Sequence, residues 1–478
     1  MVITHLNRLS VEDRRAKGKE ARERAPLASH GEWVPPAGRP DPVALLELQN
    51  RTREPDLVPV RHGRMMVSPF TFYRGAAKIM ASDLKDTPRA GFDVQLCGDA
   101  HLSNFGGFAS PERTLLFDLN DFDETLPGPF EYDVKRMAAS FTIAARNNGF
   151  SASETKETTQ TSVRAYREAL AGFSEMGTMD IWYARLTEGQ IMEAIHTATK
   201  ETQSKEAAAQ AQKGARIAQK NLAKTHTRDS LQALTKLAEL VDGRYRIVSQ
   251  PPVVIPARDL EATYGYSAEE LEQRVHEQFR AYRETLQEDR RHLLERFEIV
   301  DMAHKVVGVG SVGTRAFIAL LQGRDEGDPL FLQVKEATSS VLEDHLPKSR
   351  FKQPGERVVQ GQRLMQAASD IFLGWTKGAE ADRYLYWRQL RDMKGSALVE
   401  TMTPVALAFY GGLCGWTLAR AHARSGDPIE LGSYLGKSEK FDRSITEFSE
   451  RYADQNERDF VAFTDAVRSG RIAALGGV

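Results

Sequence analysis

In the run VQLCGDAHLSNFGGF an aspartate and an asparagine share one polar stretch, Asp99 and Asn104. A second apolar run, TLLFDLNDFDET, ends in the acids Asp118, Asp121, Asp123 and Glu124. A carboxylate and an amide on one loop, facing a further carboxylate across a tight strand pair, can do two jobs at once. Asp99 can accept a proton from a hydroxyl nucleophile, while Asn104 and Asp121 offer hard oxygen ligands to Mg²⁺. Asp and Asn also serve turns and caps. Acids gathered at the end of an apolar strand, however, repel one another unless a cation offsets them, and as a set they point to function. Spacing does not choose which of Asp118, Asp121 and Asp123 takes the metal.

A second group lies in KVVGVGSVGT, with Gly308, Gly310, Ser311 and Gly313, followed by Lys335 in LFLQVKEA. A glycine loop lets backbone N–H groups approach phosphate oxygens, and a lysine on a neighbouring strand can neutralise them. The same glycines fit a dinucleotide-binding turn. The stretch between Gly313 and the turn GRDEGD is short for a crossover helix, though, and a strand follows at once, so a hairpin fits better. Glycines that serve only the turns of a small sheet remain the plain alternative. Two acids could orient Lys335: Glu356, at the start of RVVQGQRLMQAAS, or Glu343 in ATSSVLEDH. Glu356 is preferred; either could equally be a solvated surface acid.

The elements that must position these groups are legible. Residues 1–60 are polar, rich in Arg and Pro, and interrupted by VPPAGRPDP, which suits an arm laid on the surface. SPFTFYRGAAKIMASDL reads as a helix, and the loop of Asp99 and the acid-ending run read as a strand, loop, strand unit. From Tyr132 to about Leu240 the pattern is helical. Within it KEAAAQAQKGARIAQKNLAK suits an exposed helix with a solvated face. RYRIVSQPPVVIPA reads as a Pro-interrupted strand, and SAEELEQRVHEQFRAYRETLQEDRRHLLERF as an amphipathic helix. Near Ile299 β-branched runs with Gly-rich turns begin, the pattern of antiparallel strands. RVVQGQRLMQAAS is a short helix, IFLGWT and YLYWRQLRDM are strands, VALAFYGGLCGWTLARAHARSGD is a buried helix, and the last forty residues look helical and polar. No repeat period in the range of ~20–50 residues is present.

The 478 residues suffice for a sizeable core, and 64 Lys plus Arg against 66 Asp plus Glu leave a net charge of −2. No whole-chain field favours nucleic acid or anionic lipid. No run approaches the ~18 apolar residues of a membrane helix. The first residues lack the apolar core of a secretory signal, and only Cys97 and Cys414 are present, so a reducing cytoplasm is expected.

CGDAHLSNF, read with NDFDETLPGPFEYDVKR, resembles the catalytic segment of kinase-like small-molecule phosphotransferases of the aminoglycoside and choline kinase type. Their pattern is H-G-D-x-x-x-x-N followed by a strand ending in an I-D-[FWL] acid. The resemblance makes Asp99 the catalytic aspartate, Asn104 and Asp121 the metal ligands and Asp133 a structural aspartate; Cys97 stands where the family usually has histidine. The glycine loop, Lys335 and Glu356 resemble the nucleotide-covering lobe of that fold. In ordinary kinases these precede the catalytic loop, and here they follow it. A circular permutation explains the order, since the helix ending LARAHARSGD resembles the one that usually runs into the catalytic loop. Over nearly its full length the chain also resembles the bacterial family called domain of unknown function 2252, through SPFTFYRGAA, VQLCGDAHLSNFG, FDLNDFDETLPGPFEYDVKR, VGVGSVGTR and GQRLMQAASDIFLGW.

The expected fold is therefore α+β, a circularly permuted, protein-kinase-like two-lobed structure. The expected parts are an arm at 1–60, a helical lobe with catalytic loop (96–124) and helical insertion at 61–298, a small antiparallel β lobe at 299–395, and completing helices at 396–478. The expected activity is transfer of a phosphoryl group from ATP or a related nucleotide, with Mg, to an unknown small-molecule or protein acceptor. Gly308, Gly310, Ser311 and Gly313 cover the phosphates, Lys335 contacts them, and the segment from Leu390 to Met393 could offer backbone groups to a base. Neither nucleic acid nor membrane is an expected partner, and oligomeric state is left open. Two other readings remain: a nucleotide-binding sensor without turnover, and a metallophosphoesterase, because GDAH also resembles the metal-binding start of the calcineurin-like group. That group needs further Asn-His and His-bearing motifs, and no G-N-H-[ED] phrase is present.

Overall fold

The computed structural model describes residues 9–200, 216, 219, 225–226, 230–259, 268–306, 308–310, 312–378, 382–390 and 393–476. These form an α+β structure in which helices surround short antiparallel strands. In chain order the strands are β1 (Asp93–Leu96), β2 (Phe105–Ala109), β3 (Leu115–Leu119), β4 (Leu126–Pro129), β5 (Leu186–Thr187), β6 (Ala238–Val241) and β7 (Arg244–Ile247). After them come β8 (Val254–Pro256), β9 (Glu298–Lys305), β10 (Ala316–Gln322), β11 (Pro329–Glu336), β12 (Gly374–Lys377), β13 (Tyr384–Gln389) and β14 (Gly395–Ser396). β1 pairs with β4, β6 with β7, and β2 and β3 are flanked by β14 and β5. The largest sheet has the order β12-β13-β11-β10-β9-β8, antiparallel throughout.

That sheet is covered on both faces, and strand alternation divides its side chains accordingly. Ala319, Leu321, Leu332, Val334 and Trp387 pack on one side with Phe279 and Tyr282; Ile318, Leu320 and Phe331 pack on the other with Ile247 and Val254. Tyr282 stacks on Trp387 with ring centroids 4.6 Å apart. β8 and the helix Ala268–Arg283, which the sequence reading grouped with the helical lobe, therefore belong with this sheet. The amphipathic stretch around it is two helices, Ala268–Arg283 and Glu288–Leu294, rather than one. The glycine run joins β9 to β10 as a hairpin, and no crossover helix follows.

The other large core is helical. Glu131–Asn147 is buried along most of its length and packs with Ala152–Phe173, Pro404–Ser425 and Lys440–Arg468. Ser151 and Glu154 form a capping box that starts the second of these, and Thr403 with Pro404 starts the third. The long last helix is less polar than its composition suggests. Phe441, Ile445, Phe448 and Tyr452 recur at helical spacing and form a buried stripe against the arm and Glu131–Asn147. The arm itself carries the helices Val11–Arg24 and Pro42–Asn50, and Pro42 ends the irregular VPPAGRPDP run by opening the second. Most of KEAAAQAQKGARIAQKNLAK lies outside the described residues. No helix among the described residues is long and apolar enough to cross a membrane.

Pro404–Ser425 approaches Ala152–Phe173 closely because it presents glycine there. A Cβ added at Gly415 would lie 2.1 Å from the Ser162 carbonyl oxygen, whereas at Gly412 nothing lies within 4 Å. Gly415→Ala is expected to destabilise the protein by about 2 kcal/mol through overpacking. Gly412→Ala should be neutral or slightly stabilising. Chemical denaturation of both variants checks this, and equal midpoints would remove the close-contact account.

Candidate functional site

The loop after β1 is held from below by one aspartate. Asp133, in the first turn of Glu131–Asn147, accepts from the backbone N–H of Cys97 at 2.7 Å and of Gly98 at 3.0 Å. His422 Nε2 lies 3.3 Å from the same carboxylate. Gly98 has φ +84°, and a Cβ there would lie 2.1 Å from the Glu124 carbonyl oxygen, so glycine is required at this position. Further along, Leu102 N–H donates to Ser140 Oγ at 2.9 Å, and Asn104 Nδ2 donates to the Asp99 carbonyl at 2.6 Å. Asn104 and Asp99 thus close their own loop. The Asp99 carboxylate accepts from Arg136 Nε at 2.7 Å. Burial raises its pKa, and Arg136 only partly opposes that shift.

The structure separates the clustered acids. Asp118 lies within β3, fully buried, and accepts from Arg420, from Ala367 N–H at 2.8 Å and from Leu119 N–H at 2.9 Å. Its carboxylate is engaged by the scaffold and is not among the residues that line the cavity described next. Asp121 and Asp123 lie beyond the strand end and line a cavity. Lys335 Nζ donates to Asp123 Oδ2 at 2.5 Å and stands 3.8 Å from Asp121 Oδ2. Tyr386 OH donates to Asp123 Oδ1 at 2.6 Å. Burial alone would raise the Asp123 carboxyl, but Lys335 and Tyr386 outweigh it and hold the pKa below the usual value. The same two acids keep the buried Lys335 ammonium charged. For Glu124 burial dominates, pushing it up to about 7 despite a hydrogen bond from Val341 N–H at 2.7 Å and the field of Arg357.

Gly308 and Gly310 line this same cavity of about 350 Å³, together with Asp99, Asn104, Asp121 and Asp123. Gly308 and Gly313 adopt φ of +70° and +84°, which lets the loop turn tightly. Ser311 lies outside the described residues. The loop is fastened from outside. Arg64 donates to the Gly308 carbonyl at 2.5 Å, Arg53 to that of Val312 at 2.5 Å, and Glu54 N–H to that of Gly313 at 2.8 Å.

Neither acid expected to orient Lys335 does so. Among the described residues the ion-pair partners of Lys335 are Asp123 and Asp121. Successive helical residues point about 100° apart. On Pro354–Met365 it is Arg357, not Glu356, that faces the site, donating to the carbonyls of Thr125, Asp123 and Thr338. Glu343 instead accepts from Ser340 N–H at 3.2 Å and lies 3.9 Å from Arg357 Nε. The expected base-facing segment is described only in part, since residues 391 and 392 lie outside the described residues.

Sequence reasoning missed Arg136, Arg357, Tyr386, Arg53, Arg74 and His101. Arg136 was findable: it follows Asp133 by one helical turn, so both face the loop. His101 lines the cavity with Nε2 3.8 Å from Asp99 Oδ2, and burial drives its pKa well down, leaving it neutral. Arg53 and Arg74 carry no local pattern.

No curated protein and no solved structure matches the chain. A family profile described as an uncharacterized protein conserved in bacteria, DUF2252, matches residues 53–466. That span takes in the loop of Asp99, the acids beyond β3, the glycine loop and Lys335, and the chain belongs to the DUF2252 family.

Proposed function

We propose that this chain is a phosphotransferase of circularly permuted, protein-kinase-like fold, moving the terminal phosphoryl group of ATP or a related nucleotide to a hydroxyl acceptor. One observation carries the reading. Asp99, Asn104, Asp121, Gly308 and Gly310, drawn from remote parts of the sequence, line a single cavity, and Lys335 joins it by pairing with Asp121 and Asp123.

The order of elements supports the fold. A glycine hairpin (β9–β10), a lysine strand (β11), a helix and two strands follow one another as in the nucleotide-covering lobe of that fold. The permutation draws support from the end of Pro404–Ser425, where Ser425 Oγ accepts from Gln95 N–H at 3.0 Å. The helix thus leads into β1 in space though not along the chain.

Asp99 orients the acceptor hydroxyl and takes its proton as the new O–P bond forms and the bond between the bridging oxygen and the terminal phosphorus breaks, releasing ADP. Lys335 neutralises the phosphates beneath the glycine loop. Asn104 and Asp121 suit Mg²⁺, a hard ion that needs few protein oxygens and completes its shell with phosphate and water. Held by these two side chains, such an ion would supply positive charge to offset that of the phosphates. Among the described residues no group of three or more His, Cys, Asp or Glu could hold a metal, which disfavours the two-metal phosphoesterase. The sensor reading draws on Arg136, which occupies one oxygen of Asp99.

Thermal melting with ATP, with and without Mg²⁺, alongside ADP release, tests the proposal. The expected result is stabilisation that depends on Mg²⁺, about 2.7 kcal/mol at a hundredfold excess over Kd, with ADP formed. Stabilisation without turnover supports the sensor, and ester hydrolysis with Mn²⁺ but no ATP effect supports the phosphoesterase.

A further inference from the structure

The acids of the cavity have their own cations. Asp99 is paired with Arg136, Asp121 and Asp123 with Lys335, and Asp344 with Lys78. Glu336 lies 2.7 Å from Arg383 Nη1 and 3.6 Å from Arg315 Nη1. Glu124, the remaining acid, makes no ion pair among the described residues and accepts from Val341 N–H at 2.7 Å, and burial pushes its pKa up to about 7.

Two arginines of the same cavity, Arg53 and Arg74, make no ion pair among the described residues. In each, Nε is buried without a hydrogen-bond partner. Arg53 donates through Nη1 to the Val312 carbonyl, and the acids that act on it, Glu124, Asp123 and Glu336, make no ion pair with it among the described residues. Arg74 makes no side-chain hydrogen bond among the described residues, and its nearest acidic influences are Glu400 and Asp99. A guanidinium withdrawn from water without a directly paired counter-anion is costly. Two of them in one cavity are an unfilled demand for negative charge. Their donors fit a tetrahedral dianion better than a single carboxylate, which one guanidinium already satisfies in bidentate fashion.

Arg74 sits where the acceptor must come. Its field acts on Asp99, and its backbone oxygen lies 3.2 Å from the position a Cβ would take on Gly310 in the glycine loop. It therefore neighbours both the group proposed to receive the acceptor hydroxyl and the loop proposed to cover the phosphates.

We infer, resting on the phosphotransferase reading, that the acceptor is an alcohol carrying a phosphomonoester, and that Arg74 and Arg53 bind that phosphate. A cationic acceptor of the choline or aminoglycoside kind has no place beside them.

The test uses the full chain loaded with Mg²⁺ and the β,γ-imido analogue of ATP, so that the nucleotide's own phosphate positions are filled, and titrates inorganic phosphate by calorimetry. Phosphate is expected to bind the loaded protein. Arg74→Gln should weaken it about tenfold, the loss of one charge-assisted contact, and leave analogue affinity within about twofold. Arg74→Lys, which keeps the charge, should recover part of the loss, and melting curves confirm that both variants fold. Competition between phosphate and the analogue, or an Arg74→Gln defect confined to the analogue, overturns the inference by assigning the arginines to the nucleotide. Failure of the analogue to bind the wild-type protein is seen before phosphate is added, and overturns the phosphotransferase reading instead.

Discussion

Asp121→Ala is expected to reduce nucleotide-dependent transfer about a thousandfold, the scale for removing one group that stabilises charge in the transition state, while the protein stays folded. The two halves of the expectation have separate causes. Asp121 faces the cavity, and on the proposed reading its carboxylate would hold the divalent ion, so the rate would depend on it. Its contribution to the fold is small. Lys335 keeps its closer partner Asp123 at 2.5 Å, and the Asp123 N–H bonded to Asp121 Oδ1 at 3.2 Å can turn to water in the cavity. ADP release measured beside a melting curve checks both halves. Unchanged turnover in a folded Asp121→Ala protein removes the metal-ligand assignment.

Asp118→Ala should behave in the opposite way, lowering stability by about 3–5 kcal/mol, the range for breaking one side of a buried ion pair. Arg420 would be left charged in the core, and the N–H groups of Ala367 and Leu119 would lose their acceptor. Asp118→Asn, which keeps an acceptor oxygen, should cost less. Urea denaturation distinguishes the pair. A stable Asp118→Ala protein that has lost turnover would make Asp118 part of the site rather than of the scaffold.

These two residues mark where sequence reading stops. The run TLLFDLNDFDET announces a strand that ends in acids, and the strand and the loop before it stand where the residue types suggested. The acids look equivalent in one dimension. Whether a carboxylate faces a buried arginine from a remote helix or an open cavity depends on Arg420 and Lys335, each distant along the chain. Glu356 fails for a related reason: its helix was legible, but the rotation of that helix about its axis is set by packing of Val358, Gly361 and Met365, and this turns Arg357 inward. The hairpin between β9 and β10 was favoured because the segment after Gly313 is short for a crossover helix and a strand follows it at once. The stripe Phe441, Ile445, Phe448, Tyr452 was present in the sequence yet hidden by the surrounding charged residues. Arg53 and Arg74 had no signal of their role, since neither the polar stretch QNRTREP nor the aromatic stretch PFTFYRGAA says whether its arginine ends in solvent or in a cavity.

The helix Pro42–Asn50 lies ahead of the matched family span, yet Leu48 and Gln49 line the cavity, and Asn50 and Gln49 hold the buried Arg61 in place at 3.0 and 3.2 Å. Trimming the polypeptide at the family boundary for recombinant production would therefore open one side of the pocket and leave a buried arginine with the Gly75 carbonyl in place of three partners. A shortened version that is insoluble or inert reports on the missing wall, and says nothing about the chemistry of what remains.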